Sequence, residues 1–352
     1  MKRTLVLVLA FVLALSCFTA AMAEEPLYIS VISKGEQHAF WQAVRKGCED
    51  AANEYNVEMY YYGPPSESDV VLQVEALNAE MQKEPQAIAL AALSTESVMA
   101  QLQECIQKGI PVIGFDSGVP NAPEGSIRAT ASTNNQKAAA LAAEKMLELE
   151  GFADALTSGT PEAPVVIGVL SQDATGESVT SRTTGFVNRM YELASDYNTV
   201  AVTGHDLWNK ETEGAGVIIN VAIAATPEIV DVTNAATTLL NTEGIYAVFC
   251  SNEGAVNGML AASSSGADLA EGGAYSDLIV AGFDAGSPQK NAVRNGWFVG
   301  SVTQDPYRIG YLAVELAVKA ANGEEVADVD TGAQWYTAEN IDDPEIALLV
   351  YD

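Results

Sequence analysis

Apolar positions along this 352-residue chain keep two alternating rhythms. Short runs rich in Val, Ile, Ala and aromatic residues recur at 27–33, 57–63, 87–93, 110–116, 164–170, 198–205, 245–252, 277–284 and 298–304. Their length and β-branched content predict strands, mostly buried on both faces. Between them the apolar spacing widens to three and four. Phe40, Val44, Cys48, Ala51 and Ala52 form one stripe over 39–55, and Val70, Val74 and Leu77 another over 69–82. Helices are predicted in the same way over 96–108 (stopped by Gly109), 135–150, 179–196, from 254, through 288–295 and over 306–322. Helical sequence is also expected after 198–205, and 214–231 reads as an insertion.

Strict alternation of strand and helix predicts an α/β protein with two doubly wound, Rossmann-like parallel sheets. The length also exceeds what one core ordinarily serves. VIGFDSG at 112–118 is answered by VAGFDAG at 280–286, so the halves read as two copies of one plan. In such sheets ligands bind beyond the carboxyl ends of the strands. The residues just past the predicted strands are His38 with Phe40 and Trp41, then Asp116 with Ser117, Arg182, Trp208, Asn252, Asp284 and Gln304. Carboxylates, carboxamides and an arginine offer bidentate hydrogen bonds, and aromatic faces offer apolar contact. That combination suits a sugar, whose ring has C–H patches and a rim of hydroxyls. The plainer alternatives are His38 as a structural histidine, Asp116, Asn252, Asp284 and Gln304 as helix caps, Arg182 as a surface ion pair, and Trp208 and one of the adjacent pair Phe40 and Trp41 as core.

Charge and the chain start narrow the setting. A basic Met1-Lys2-Arg3, an apolar run over 5–15 and Ala21-Met22-Ala23 make a secretory leader with cleavage after residue 23. Cys17 would allow a lipid anchor instead, but 14–17 is a poor lipidation motif. The expected location is therefore outside the cytoplasm, in the periplasm or at the outer membrane face. The net charge of −30 argues against nucleic acid as a partner, because phosphates are repelled. Cys48, Cys105 and Cys250 are odd in number and set among apolar residues, which reads as buried inert thiols. Two histidines without metal-ligand spacing give no zinc pattern. No nucleophile elbow, P-loop or Gly-x-Gly-x-x-Gly follows a first strand, so neither catalysis nor a cofactor is expected.

HAFW after the first strand, PVIGFDS, SRTTGF, DLW, VFCSNEGAVNG, IVAGFDAGSPQ and SVTQDPYRIG follow one another in an order that resembles the ribose/galactose type of periplasmic sugar-binding proteins, the type I solute-binding proteins of ABC transporters. The resemblance implies ligand roles for His38, Phe40, Trp41, Asp116, Arg182, Trp208, Asn252, Asp284 and Gln304. It departs from the family where Ser117 follows Asp116 in place of arginine and where His38 replaces asparagine. It implies two lobes, 24–131 plus 305–335 and 132–304 plus 336–352, joined by crossovers near 131–133, 304–306 and 334–337. It implies a monomer that closes on a monosaccharide or polyol by hinge motion and delivers it to a membrane permease. A chemoreceptor or sensor kinase as partner, and a nucleoside or furanosyl signal molecule as ligand, stand as alternatives. LacI-type repressors share the fold but carry a DNA-binding segment where this chain has its leader.

Overall fold

Why the predicted strands are so uniformly apolar is visible in the computed structural model, which describes residues 26–351. The leader and Cys17 lie outside those residues. The first sheet is fed by β1 (Tyr28–Ile32), α1 (Ala39–Glu54), β2 (Glu58–Tyr62), α2 (Val70–Met81), β3 (Ala87–Leu90), α3 (Met99–Lys108), β4 (Val112–Phe115) and β5 (Ile127–Ser132). The second is fed by α4 (Asn135–Leu147), α5 (Phe152–Ser158), β6 (Val165–Ser171), α6 (Glu177–Ser195), β7 (Val200–Thr203), β8 (Val217–Ile223), α7 (Ile229–Leu240), β9 (Ile245–Cys250), α8 (Glu253–Ala262), β10 (Ile279–Phe283), α9 (Ser287–Arg294) and β11 (Gly300–Thr303). The chain closes with α10 (Pro306–Ala321), β12 (Val329–Asp330), β13 (Gln334–Tyr336) and α11 (Pro344–Ala347).

The sheets run β12-β5-β4-β3-β1-β2 and β13-β11-β10-β9-β6-β8-β7. Every pairing is parallel except that of the edge strand β13. Parallel sheets need helices on both faces, and both have them. In the first lobe α1 and α10 cover one face, and α2 and α3 the other. In the second, α4 and α6 cover one face, and α7, α8 and α9 the other. Strand order reverses at β1/β3 and at β6/β9, the places where doubly wound sheets take ligands.

Three segments pass between the lobes: after β5, after β11, and between β12 and β13. Thr133 and Thr331, on two of them, are joined through their hydroxyls at 3.3 Å. The third crossing comes earlier than the implied 334–337. Gln334 and Trp335, which the implied division left with the first lobe, pair with Thr303 and Val302 in the second sheet.

Two sequence expectations are corrected. Turns follow β7 where a helix is expected, and Val217–Ile223, inside the supposed insertion, is a strand seated between β6 and β7. Its inward residues Val217, Ile219 and Val221 are buried in the core. A strand of seven residues, five of them β-branched, competes for a sheet position whatever the length of the loop before it. β7 is thereby pushed to the edge. The segment that leaves the sheet toward the other lobe in second position is 224–228, after β8.

The tightest crossing in the first lobe joins α1 to α10. A Cβ on Gly47 would meet the Tyr307 carbonyl oxygen at 2.0 Å, and one on Gly310 would meet that of Val44 at 1.9 Å. Gly310→Ala is therefore expected to cost about 1–3 kcal/mol through overpacking, read as a fall of several degrees in Tm. An unchanged Tm would contradict the backbone contact.

Candidate functional site

Asp116 and Asp284 end β4 and β10, and both take left-handed backbone, with φ of 54° and 80°. That region is uncommon for residues other than glycine, though aspartate enters it more readily than most. Each extends the ladder by one bond before the chain turns: Asp116 N–H donates to the Ala131 carbonyl at 3.0 Å and Asp284 N–H to that of Val302 at 2.7 Å. The same local device thus presents one carboxylate from each lobe to the space between them. That space is a polar cavity lined by His38, Phe40, Trp41, Asp116, Arg182, Asn252, Asp284 and Gln304, together with Lys34, Glu67, Ser178, Val179 and Glu253.

Asp284 is the best-anchored group. Its Oδ1 accepts from Gln304 Nε2 at 2.6 Å, and its Oδ2 from the Glu253 backbone N–H at 2.9 Å and from Arg182 Nη1 at 3.4 Å. Arg182 Nε donates to Asn135 Oδ1 at 2.8 Å, and its guanidinium lies 3.9 Å over the Phe283 ring. Asn252 caps α8, accepting from Ala255 N–H at 3.1 Å, and still lines the cavity, so it combines the two roles open to it in the sequence. Gln304 Oε1 accepts no hydrogen bond from a described residue. Phe40 and Trp41 are both buried in the core of the first lobe while lining the cavity, with centroids 5.0 Å apart and planes at 89°. Rings set edge to face can flank a ligand on two sides but cannot sandwich it.

Two expected residues stand apart. Ser117 is buried beside the cavity without lining it, and its Oγ accepts from Ser178 N–H of the other lobe at 3.3 Å. Trp208 belongs to the second-lobe core, where its Nε1 donates to Thr184 Oγ1 at 2.9 Å. It is displaced because β8, not β7, holds the second position in its sheet. Where an aromatic is implied, the chain places Ala224 and Ala225.

Glu67 and Glu253 were missed. Glu67 lies just past β2, where the strand-end rule would have found it, and Glu253 adjoins Asn252. Trp41 Nε1 donates to Glu67 Oε1 at 2.7 Å, and Gln172 Nε2 reaches Glu67 Oε2 from the other lobe at 2.6 Å. Glu253 supplies what α1 lacks. His38 makes no side-chain cap, and the Glu253 carboxyl lies across the cleft near the backbone N–H groups of Ala39 and Phe40, which favour its charged form. Its Oε1 is 3.9 Å from His38 Nδ1.

Buried charge shapes the titration of these groups. Burial pushes Asp116 up to about 6, with Lys34 and Arg182 offsetting only part of it. Burial likewise pushes Glu253 up to about 7, against the pull of His38 and with the push of Asp284. For Glu67 burial also acts upward, but Lys34, His38 and the bonds from Trp41 and Gln172 prevail and hold it below its usual value. Lys34, 3.8 Å from Asp116 and 3.3 Å from Ser178 Oγ, is raised, because Glu67, Asp116 and Asp173 outweigh its burial. Cys48, Cys105 and Cys250 are buried, and burial raises each thiol, Cys105 to about 11. They stay protonated and unreactive.

The lobes are closed on one another. Lys34–Ser178, Glu67–Gln172, Ser117–Ser178 and a pair of serines, Ser66 and Ser68, on Glu228 Oε1 at 2.7 and 2.6 Å all bridge the cleft. These side chains leave a central cavity of about 20 Å³, room for about one water.

The profile of the periplasmic binding protein domain family matches residues 29–325. The D-allose-binding periplasmic protein of Escherichia coli (strain K12) is 23% identical over 333 residues, 94% of each chain. Among solved structures, an ABC transporter, LacI family transcriptional regulator from Brachyspira murdochii is 40% identical with a TM-score of 0.77, covering 93% of this chain and 99% of that one. A carbohydrate transporter solute binding protein from Agrobacterium radiobacter, in complex with D-arabinose, is 26% identical with a TM-score of 0.73, covering 94% and 99%.

Asp116 and Glu253 hold protons in the native chain at pH values where the unfolded chain, titrating near 3.8 and 4.5, has lost them. Their contribution to stability therefore falls as pH rises from about 4 to about 7. Glu253→Gln is expected to gain on the wild type in Tm between pH 5 and pH 8, when both are melted without ligand. A difference that stays flat across that range would contradict the assignment.

Proposed function

The chain belongs to the periplasmic binding protein family, and we propose that it takes a neutral monosaccharide into the cavity between its lobes and holds it by hinge closure. It is a sugar-binding solute-binding protein of an ABC transporter. The observation that carries the finer reading is the pairing of Asp116 and Asp284, one from each lobe, aimed into a cavity walled by Phe40 and Trp41. A carboxylate accepts from two neighbouring hydroxyls, and charged acceptors make strong hydrogen bonds. Arg182, Asn252 and the free Oε1 of Gln304 complete the polar rim. His38, Lys34, Glu67 and Glu253 set which hydroxyls are read.

Several alternatives fit less well. Four carboxyl groups face two cations, Lys34 and Arg182, each already beside an aspartate, which disfavours a phosphorylated sugar. The perpendicular aromatic pair offers no parallel slot for a flat nucleobase. The charge of −30 disfavours DNA.

In this reading the open form binds sugar on one lobe. Hydroxyls then replace the water-filled or cross-cleft partners of the buried carboxylates as the second lobe arrives. The sugar is captured and released unchanged. A single copy, exported by cleavage after residue 23 without a lipid on Cys17, presents its closed face to the permease. A chemoreceptor or sensor kinase would read the same closed face.

A calorimetric panel of pentoses, hexoses, polyols, nucleosides and phosphorylated sugars tests this. A neutral sugar is expected to bind, and Asp284→Asn to weaken it by about 30- to 150-fold, the 2–3 kcal/mol of a lost charged hydrogen-bond set. Trp208→Phe should lower Tm and leave affinity within about twofold. Binding of a nucleoside or a phosphorylated sugar with no neutral sugar bound would overturn the assignment.

A further inference from the structure

A second cavity adjoins the first and is much the larger. It measures about 320 Å³ against about 20 Å³, and it lies at the cleft mouth between the loop after β2, the loop after β6 and the segment 224–227 after β8. Glu67 lines both spaces, and Gln172 lines the second, so their 2.6 Å hydrogen bond across the cleft is the partition between them.

We propose that this cavity is a subsite for the second unit of an extended neutral sugar, such as a disaccharide, with the Glu67–Gln172 pair as the gate through which the linkage passes. The proposal rests on the sugar-binding reading above and extends it.

Four observations point the same way. Gln172 is fully buried, yet its Oε1 accepts no hydrogen bond from a described residue. That oxygen lies over Gly254, where a Cβ would come within 1.9 Å, so the glycine is what gives the amide its place. Gly254 lines neither cavity, so the amide turns away from it when Oε1 meets a linked hydroxyl and Glu67 takes another. The second observation is space: Ala224 and Ala225 line the cavity at the position where the resemblance implies an aromatic, so no ring closes off the cleft there. The third is chemistry. Val70, Leu93 and Ile223 offer aliphatic contact suited to C–H faces, Glu67 and Asp173 are its charged groups, and no cationic side chain is among its described lining residues. Donor-rich, uncharged groups fit; phosphate and carboxylate do not. The fourth is that the edges are cross-cleft contacts. Ser68, a lining residue, donates to Glu228, and the carbonyl of Thr175, another, accepts from Thr95 N–H at 3.4 Å. Closure therefore walls this space as well as the central one.

The test is calorimetry on the full protein with D-glucose, D-galactose, D-xylose and D-arabinose, and with cellobiose, lactose, xylobiose and arabinobiose, for wild type and Ala225→Trp. Ala225 is exposed and outside the central cavity, so an indole there fills the subsite alone. Thr226→Trp serves as a second filler if the first variant melts early. The expected result is a disaccharide that binds wild type and loses at least about tenfold in the filled variant, while a monosaccharide that binds keeps its affinity within about twofold. A monosaccharide that binds with no disaccharide binding, or a disaccharide whose affinity ignores the filler, overturns the subsite and leaves the sugar reading standing. Failure of every sugar in both sets overturns the sugar reading and the subsite with it.

Discussion

A carboxylate held between two sheets must find donors, and here the donors come from both lobes. Glu67 is held by Trp41 of its own lobe and Gln172 of the other. Glu253 lies near the first N–H groups of a helix it does not belong to, and its Oε2 accepts no hydrogen bond from a described residue. Asp116 has Lys34 at 3.8 Å, and burial leaves it up near 6. Each unit of such a shift is worth about 1.4 kcal/mol between the protonation states. The closed cleft is thus a set of charges that are well matched on the second-lobe side, around Asp284, and less well matched on the first-lobe side, around Asp116. A ligand rich in hydroxyls supplies donors where they are short, and that is the differential affinity closure requires.

The duplicated plan explains why the two key carboxylates face one another. Strands β4 and β10 both run into Gly-Phe-Asp, both lobes set that aspartate in left-handed backbone, and both tie its N–H to the next strand. The lobes then diverge. The first adds aromatic walls, Phe40 and Trp41, and a lysine; the second adds an arginine stacked on Phe283 and two carboxamides. The family to which the chain belongs uses this architecture for binding, and the charge pattern within the cleft narrows what is bound.

Much of the fold and most of the cavity were legible in the chain, because period and strand ends are local properties. Thirteen residues line the cavity, and His38, Phe40, Trp41, Asp116, Arg182, Asn252, Asp284 and Gln304 among them follow from the rule that ligands meet the carboxyl ends of strands. Trp208 was misplaced for a tertiary reason. Which of two successive strands takes the inner position depends on pairing with β6, and 198–205 and 217–223 are both plausible strands in isolation. Glu67, past β2, was open to the same strand-end rule and was passed over. Glu253 was hidden for another reason: it owes its role to partners on the opposite lobe, more than 100 residues away in sequence, and such pairing leaves no periodic trace.

Closure by sugar is the central claim, and small-angle X-ray scattering of the purified protein measures it directly. Saturation with a neutral sugar that binds by calorimetry should reduce the radius of gyration toward that of the closed structure. An unchanged or larger radius, with the sugar demonstrably bound, would contradict the account.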